Sequence, residues 1–117
     1  RVSKRKMLNE WIVGTGIPHA KRTYNSYLDE INKISINSSG LRRLGSAAID
    51  LAYVAAGKLD AFWERNLAIW DVSSGVLLVK EAGGKVTEPD GTPWDIQSKD
   101  ILASNYNIHE IMQEKLT

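Results

Sequence analysis

Residues 46 to 56, "SAAIDLAYVAA", constrain the fold more than any other stretch, because they read as a helix that is apolar nearly all round. Alanines at 47, 48, 52, 55 and 56 put small side chains on every face, so the helix is expected to be closely packed on more than one side, as if held between layers. Ser46 stands at its start and Gly57 just past its end, a hydroxyl N-cap and a glycine C-cap. Asp50 is its one ionisable interior residue.

The neighbouring segments alternate between the two periodicities. "WIVGTGI" (11–17) is a short apolar run ended by Pro18 and reads as a strand. Tyr24, Tyr27, Leu28, Ile31 and Ile34 recur at helical spacing within 21–34, which predicts an amphipathic helix. "KLDAFWE" (58–64) reads as a strand ending at Glu64, and 71–82 as a buried helix stopped by Gly83-Gly84. "KVTEP" and "DILASN" are further short strands around the turn "DGTPW", and "IHEIMQEKL" is a terminal helix with Ile108, Ile111, Met112 and Leu116 on one face. Strands alternating with helices predict an α/β layered sandwich, a mixed sheet covered by helices. At 117 residues the chain is one small domain with one core's worth of apolar residues, and it contains no internal repeat or linker.

Composition narrows the chemistry by exclusion. With no cysteine, disulfides, thiolate metal sites and cysteine nucleophiles drop out, and a reducing cytoplasmic location is expected. His19 and His109 form no HxxxH-type pair, which leaves hard cations on carboxylates as the metal chemistry open to the chain. No apolar run approaches the roughly 20 residues that span a bilayer, so no membrane partner is expected. Residues 1–45 hold nine Lys/Arg against three Asp/Glu, and residues 46–117 hold six against eleven. The basic residues are scattered, with Arg1, Lys4, Arg5 and Lys6 at an end expected to fray, so a nucleic-acid partner is not expected.

Three places could carry chemistry. At 42–48, "RRLGSAA", a glycine and a small hydroxyl residue at a helix start leave N–H groups open to an anion, although the same residues are what any capped helix needs. Glu64 ends a strand, where a carboxylate either faces a cleft or is merely solvated. Asp71 stands at a helix start, as a cap or as a metal ligand. Trp94-Asp95 repeats the Trp70-Asp71 dipeptide inside a turn, so the dipeptide alone is not diagnostic. What sets Asp71 apart is the strand and carboxylate before it and the small residues Ser73, Ser74 and Gly75 after it, which leave room beside the carboxylate.

In that order, "GTGIP" (14–18), "RRLGSAAIDLAYVAAGKLDAFWE" (42–64) and "WDVSSGVLLVKEAGGKV" (70–86) closely resemble the inositol monophosphatase family of magnesium-dependent, sometimes lithium-sensitive sugar-phosphate phosphatases, most of all its bacterial branch. The resemblance implies the C-terminal half of the inositol monophosphatase/fructose-1,6-bisphosphatase-like fold. It implies substrate contacts at Gly45, Ser46, Ala47, Glu64 and Asp71, with Asp71 also ligating a catalytic Mg²⁺. The substrate implied is an inositol monophosphate or related sugar or polyol phosphate monoester, and a homodimer is expected for the intact enzyme. Fructose-1,6-bisphosphatase and 3′,5′-bisphosphate nucleotidase activities are the alternatives within this class, and a non-catalytic interaction or dimerisation module the alternative outside it. The family's upstream glutamate pair and Asp-Pro-(Ile/Leu)-Asp-Gly-Thr motif do not occur here; "EPDGTPWD" (88–95) lacks the first aspartate and reads as a surface turn. Residues 1–117 are therefore expected to be a C-terminal α/β domain without the N-terminal metal-binding half, assigning no catalytic residue beyond these ligands and inactive by itself.

Overall fold

A computed structural model describes residues 1–16, 24–36, 38–67 and 72–117. Among these residues, five strands form one mixed sheet: β1 (Ile12–Thr15), β2 (Gly40–Arg42), β3 (Ala61–Glu64), β4 (Lys85–Thr87) and β5 (Ile101–Ser104), in the order β2-β1-β3-β5-β4. β2, β1 and β3 run parallel, with Val13 opposite Leu41 and Ala61. β5 is antiparallel to both β3 and β4. Helices α1 (Tyr24–Ser35) and α4 (His109–Leu116) cover one face, and α2 (Ala47–Ala55) and α3 (Ser73–Glu81) cover the other.

The side-chain alternation of β3 shows why the sheet must be covered twice. Ala61 and Trp63 pack with Trp11, Tyr27, Ile34 and Met112 on the α1/α4 side. Phe62, between them, packs with Leu51, Val54, Val76 and Val79 on the α2/α3 side. Ala61, Phe62 and Trp63 are all fully buried, as expected of a strand with helices on both faces. The predicted α/β sandwich is thus the observed one.

Several expectations are corrected in detail. The strand at 11–17 is ordered as a strand only over Ile12–Thr15, while Ile17 and Pro18 lie outside the described residues. Leu28, predicted on the apolar face of α1, is exposed, and so is Ile111 on α4. His109 takes the inward place on α4 beside Ile108, Met112 and Leu116, because its ring nitrogens are satisfied inside by Ser104 Oγ (2.6 Å) and Thr87 Oγ1 (2.8 Å). The amino-terminal segment expected to fray is docked: Val2 N donates to Ala82 O (3.1 Å), and Asp60 accepts from Arg5 Nη1 (2.8 Å) and Ile12 N (2.8 Å). Asp60 is fully buried, so its charge supplies the reason a basic segment is held there.

On the opposite face, Arg65 just after β3 ties three elements together. Its guanidinium pairs with Glu30 of α1 and with Asp100 (3.1 Å) before β5, and donates to Leu116 O (3.2 Å) at the end of α4. Glu30 also accepts from Trp63 Nε1 (3.1 Å), which joins the ion pair to the buried aromatic core. The α2 helix has the packing on more than one side expected of it, but not on every face. Leu51 and Val54 are buried, but Ile49 and Tyr53 face outward, as do Leu77 and Leu78 of α3, the largest exposure being 58% at Leu77. Among the described residues, α2 packs on the sheet and on α3 and leaves Ile49 and Tyr53 outward.

Candidate active site

Because β2, β1 and β3 are parallel, their carboxyl ends open on the same edge of the sheet, the usual place for a ligand in an α/β fold. A pocket of about 270 Å³ lies there, between the ends of β1 and β3 and the beginning of α2. Gly45, Ser46 and Ala47 form one wall and Glu64 another, with Arg43 at the side and Asp50 at the floor. Four sequence-predicted site residues separated by up to 19 positions therefore meet in one cavity. Asp71 lies outside the described residues.

The α2 wall is built by local chemistry. Gly45 has φ +84°, a left-handed conformation that turns the chain from β2 into the helix, and a Cβ there would meet nothing within 4 Å. The glycine is thus required by backbone angle and not by crowding. Ser46 is the N-cap, with extended backbone angles, and its side chain accepts from Ile49 N at 3.4 Å. The first full-turn bond of the helix runs from Asp50 N to Ser46 O (2.9 Å), so the N–H groups of Ala47 and Ala48 have no acceptor within the helix. Both alanines line the pocket, which gives an anion two N–H donors, the positive end of the helix dipole and the Arg43 cation.

The floor is acidic. Gly14 and Gly16 lie two residues apart and so on one side of β1, and this "GTG" leaves a bare trough. A Cβ at Gly14 would approach Asp50 Oδ1 to 2.6 Å, and one at Gly16 would clash with Glu64 Oε1. Thr15 points the other way and donates from Oγ1 to Trp63 O (3.1 Å), fixing β1 to β3 beneath the two carboxyl groups. Asp50 is 1% exposed and its Oδ1 has no hydrogen-bond partner among the described residues. Burial, reinforced by the negative charge of Glu64, pushes its carboxyl up to about 7.

The oxygen donors in the pocket suit a hard cation such as Mg²⁺, but among the described residues no three His, Cys, Asp or Glu side chains converge as a metal cluster. Trp94-Asp95 behaves as the turn expected of it, with Asp95 Oδ1 accepting from Gln97 N (2.7 Å) and Asp95 N donating to Ser98 Oγ (3.1 Å). The paired glycines and Asp50 are the parts of the site that motif reading left without a role. Their signal was an acid inside an otherwise apolar helix together with a Gly-x-Gly at a strand's end.

The chain matches the inositol monophosphatase family over residues 1–117. It is 48% identical to an inositol-1-monophosphatase of Caulobacter vibrioides over 118 aligned residues, covering 99% of this chain and 46% of the relative. The extragenic suppressor protein SuhB of Bartonella henselae superposes with a TM-score of 0.94 at 44% identity, over 100% of this chain and 45% of that one. The inositol monophosphatase of Anabaena (Nostoc) superposes with a TM-score of 0.90 at 40% identity, over 99% of this chain and 46% of that one. The chain thus spans about half the length of the relatives it matches.

Proposed function

Since the chain belongs to the inositol monophosphatase family, we propose that the full-length protein is a Mg²⁺-dependent phosphatase acting on an inositol monophosphate or a closely related polyol phosphate. The observation that carries this reading is the convergence of the α2 N-terminus and Glu64 in one pocket. A phosphate monoester has two ends with opposite needs. Its phosphoryl oxygens want donors, which Ala47 N–H, Ala48 N–H and Arg43 offer; its polyol hydroxyls want acceptors, which Glu64 offers.

Asp71 would hold the metal together with carboxylates from the remainder of the full-length protein. Mg²⁺, when bound, supplies positive charge against the phosphoryl group as it is transferred. The described residues bind and orient: the helix end grips the phosphoryl oxygens while Glu64 sets which hydroxyls lie beside it. The outward apolar residues Ile49, Tyr53, Leu77 and Leu78 support a second half of the protein packed against α2 and α3, which would cover the faces these residues leave outward.

The test is a substrate comparison. In the full-length protein Glu64→Gln should lower kcat/KM for inositol 1-phosphate relative to a simple aryl phosphate by about tenfold, the loss of one charged hydrogen bond of about 1.4 kcal/mol. Ser46→Leu should depress both substrates together, because its bulk blocks the helix end that both phosphates approach. An unchanged ratio in Glu64→Gln, with folding verified by circular dichroism, would remove Glu64 from the substrate site. Fructose 1,6-bisphosphate and adenosine 3′,5′-bisphosphate belong in the same panel, and preference for either would reassign the substrate within the class.

A further inference from the structure

Asp50 has no task in the phosphatase reading, yet a buried carboxyl oxygen without a partner among the described residues is costly to keep. Its position is specific. It projects from the first turn of α2 into the Gly14 end of the trough, and the Glu64 carboxylate occupies the Gly16 end of the same trough. The two groups therefore lie along one flank of β1, where a side chain on either glycine would collide with the carboxyl group as it is placed. The two side chains divide the trough between them, Asp50 at its inner end and Glu64 at its outer end. The Glu64 carboxylate is left at the outer end, where Ser46 and Ala47 line the same pocket.

We propose that Asp50 is a positioning residue for Glu64: by occupying the Gly14 end of the trough it holds the Glu64 carboxylate at the end where a polyol hydroxyl meets it. The inference rests on the polyol phosphatase reading for its substrate, but not for its geometry. The role depends on the size and placement of the Asp50 side chain, so an amide of the same shape serves and a methyl group does not. Leu59, whose Cδ1 would lie 2.9 Å from a Cβ at Gly14, borders the same end of the trough.

The experiment uses the full-length protein with Asp50→Ala and Asp50→Asn. Asp50→Ala should lower the inositol 1-phosphate to aryl phosphate ratio of kcat/KM by about tenfold, mainly through KM for the inositol ester. Asp50→Asn should restore that ratio to within about twofold of the wild-type value. In the same proteins labelled with ¹³C-glutamate, the Glu64 carboxyl resonance, assigned by its loss in Glu64→Gln, should broaden in Asp50→Ala and remain sharp in Asp50→Asn. A wild-type ratio and a sharp resonance in Asp50→Ala overturn the proposal, and so does equal impairment in the two variants. If the wild-type protein hydrolyses neither ester, the phosphatase reading fails, and the Glu64 resonance alone still decides whether Asp50 positions it.

Discussion

Asp71→Asn in the full-length protein is expected to slow turnover of inositol 1-phosphate by about 100-fold or more, a loss of about 3 kcal/mol of transition-state stabilisation. The substitution keeps the shape of the side chain and removes its charge. The helix begins at Ser73 with Val72 as its N-cap, so Asp71 precedes the cap, and if its role were only structural, asparagine of the same shape would serve and activity would persist. A metal ligand has no such tolerance, since the amide oxygen offsets less of the cation's charge and binds it more weakly. Asp95→Asn supplies the internal control. Asp95 also follows a tryptophan, but its carboxyl serves Gln97 N within a turn, a bond that an asparagine oxygen reproduces, so this variant should be close to silent. Measuring kcat together with the Mg²⁺ concentration for half-activation separates the two positions. Equal effects at both would overturn the assignment of Asp71.

The layers of the fold were legible because periodicity reports burial directly. A strand such as "AFW" that is apolar at consecutive positions must be covered on both faces, and it is. The α2 caps were legible for a similarly local reason: Ser46 and Gly57 do what a hydroxyl and a glycine do at helix ends, wherever the helix is packed. Long-range docking left no such mark. Nothing local in "RVSKRK" reveals that Arg5 finds a buried Asp60 more than fifty residues away, so the segment read as loose. His109 was missed on α4 because an inward histidine depends on hydroxyls from two different strands, Thr87 on β4 and Ser104 on β5. The site divides the same way. Glycine 45, Ser46 and Ala47 announce a helix start, and Glu64 a strand end, but that they share one pocket is a property of the parallel β2-β1-β3 register. Asp50 was visible as an anomaly, an acid in an apolar helix, and acquired a place only when Gly14 and Gly16 were found beneath it and Glu64.

Two buried groups with displaced titrations should make the stability of this chain nearly independent of pH between about 4 and 7, and single substitutions should expose the cancellation. Burial, with Lys85 nearby, holds the His109 imidazole down to about 4, against 6.5 when unfolded. Its ring accepts or donates one hydrogen bond on each side as a neutral group, and charging it inside the core has no compensating anion among its two hydroxyl partners. Between these values the unfolded chain binds the extra proton, so this contribution is complete above about 6.5 and is lost as the pH falls toward 4, amounting to about 3 kcal/mol. Asp50 has the opposite sign. Its folded value of about 7 lies above the 3.8 of the unfolded chain, so the folded state holds the extra proton and loses about 4 kcal/mol of stability as the pH rises from 3.8 through 7. The two slopes leave a net change of about 1 kcal/mol. Urea unfolding at several pH values tests this. Asp50→Asn should gain about 3 kcal/mol of stability between pH 4 and 6.5, and His109→Gln should lose about 4 kcal/mol between pH 4 and 7, whatever constant offset each substitution adds. Every other ionisable side chain is common to the three proteins, so the differences between the curves report on the two substituted sites. A curve for Asp50→Asn parallel to that of the unsubstituted chain would mean that Asp50 is ionised throughout, with a partner that offsets its burial.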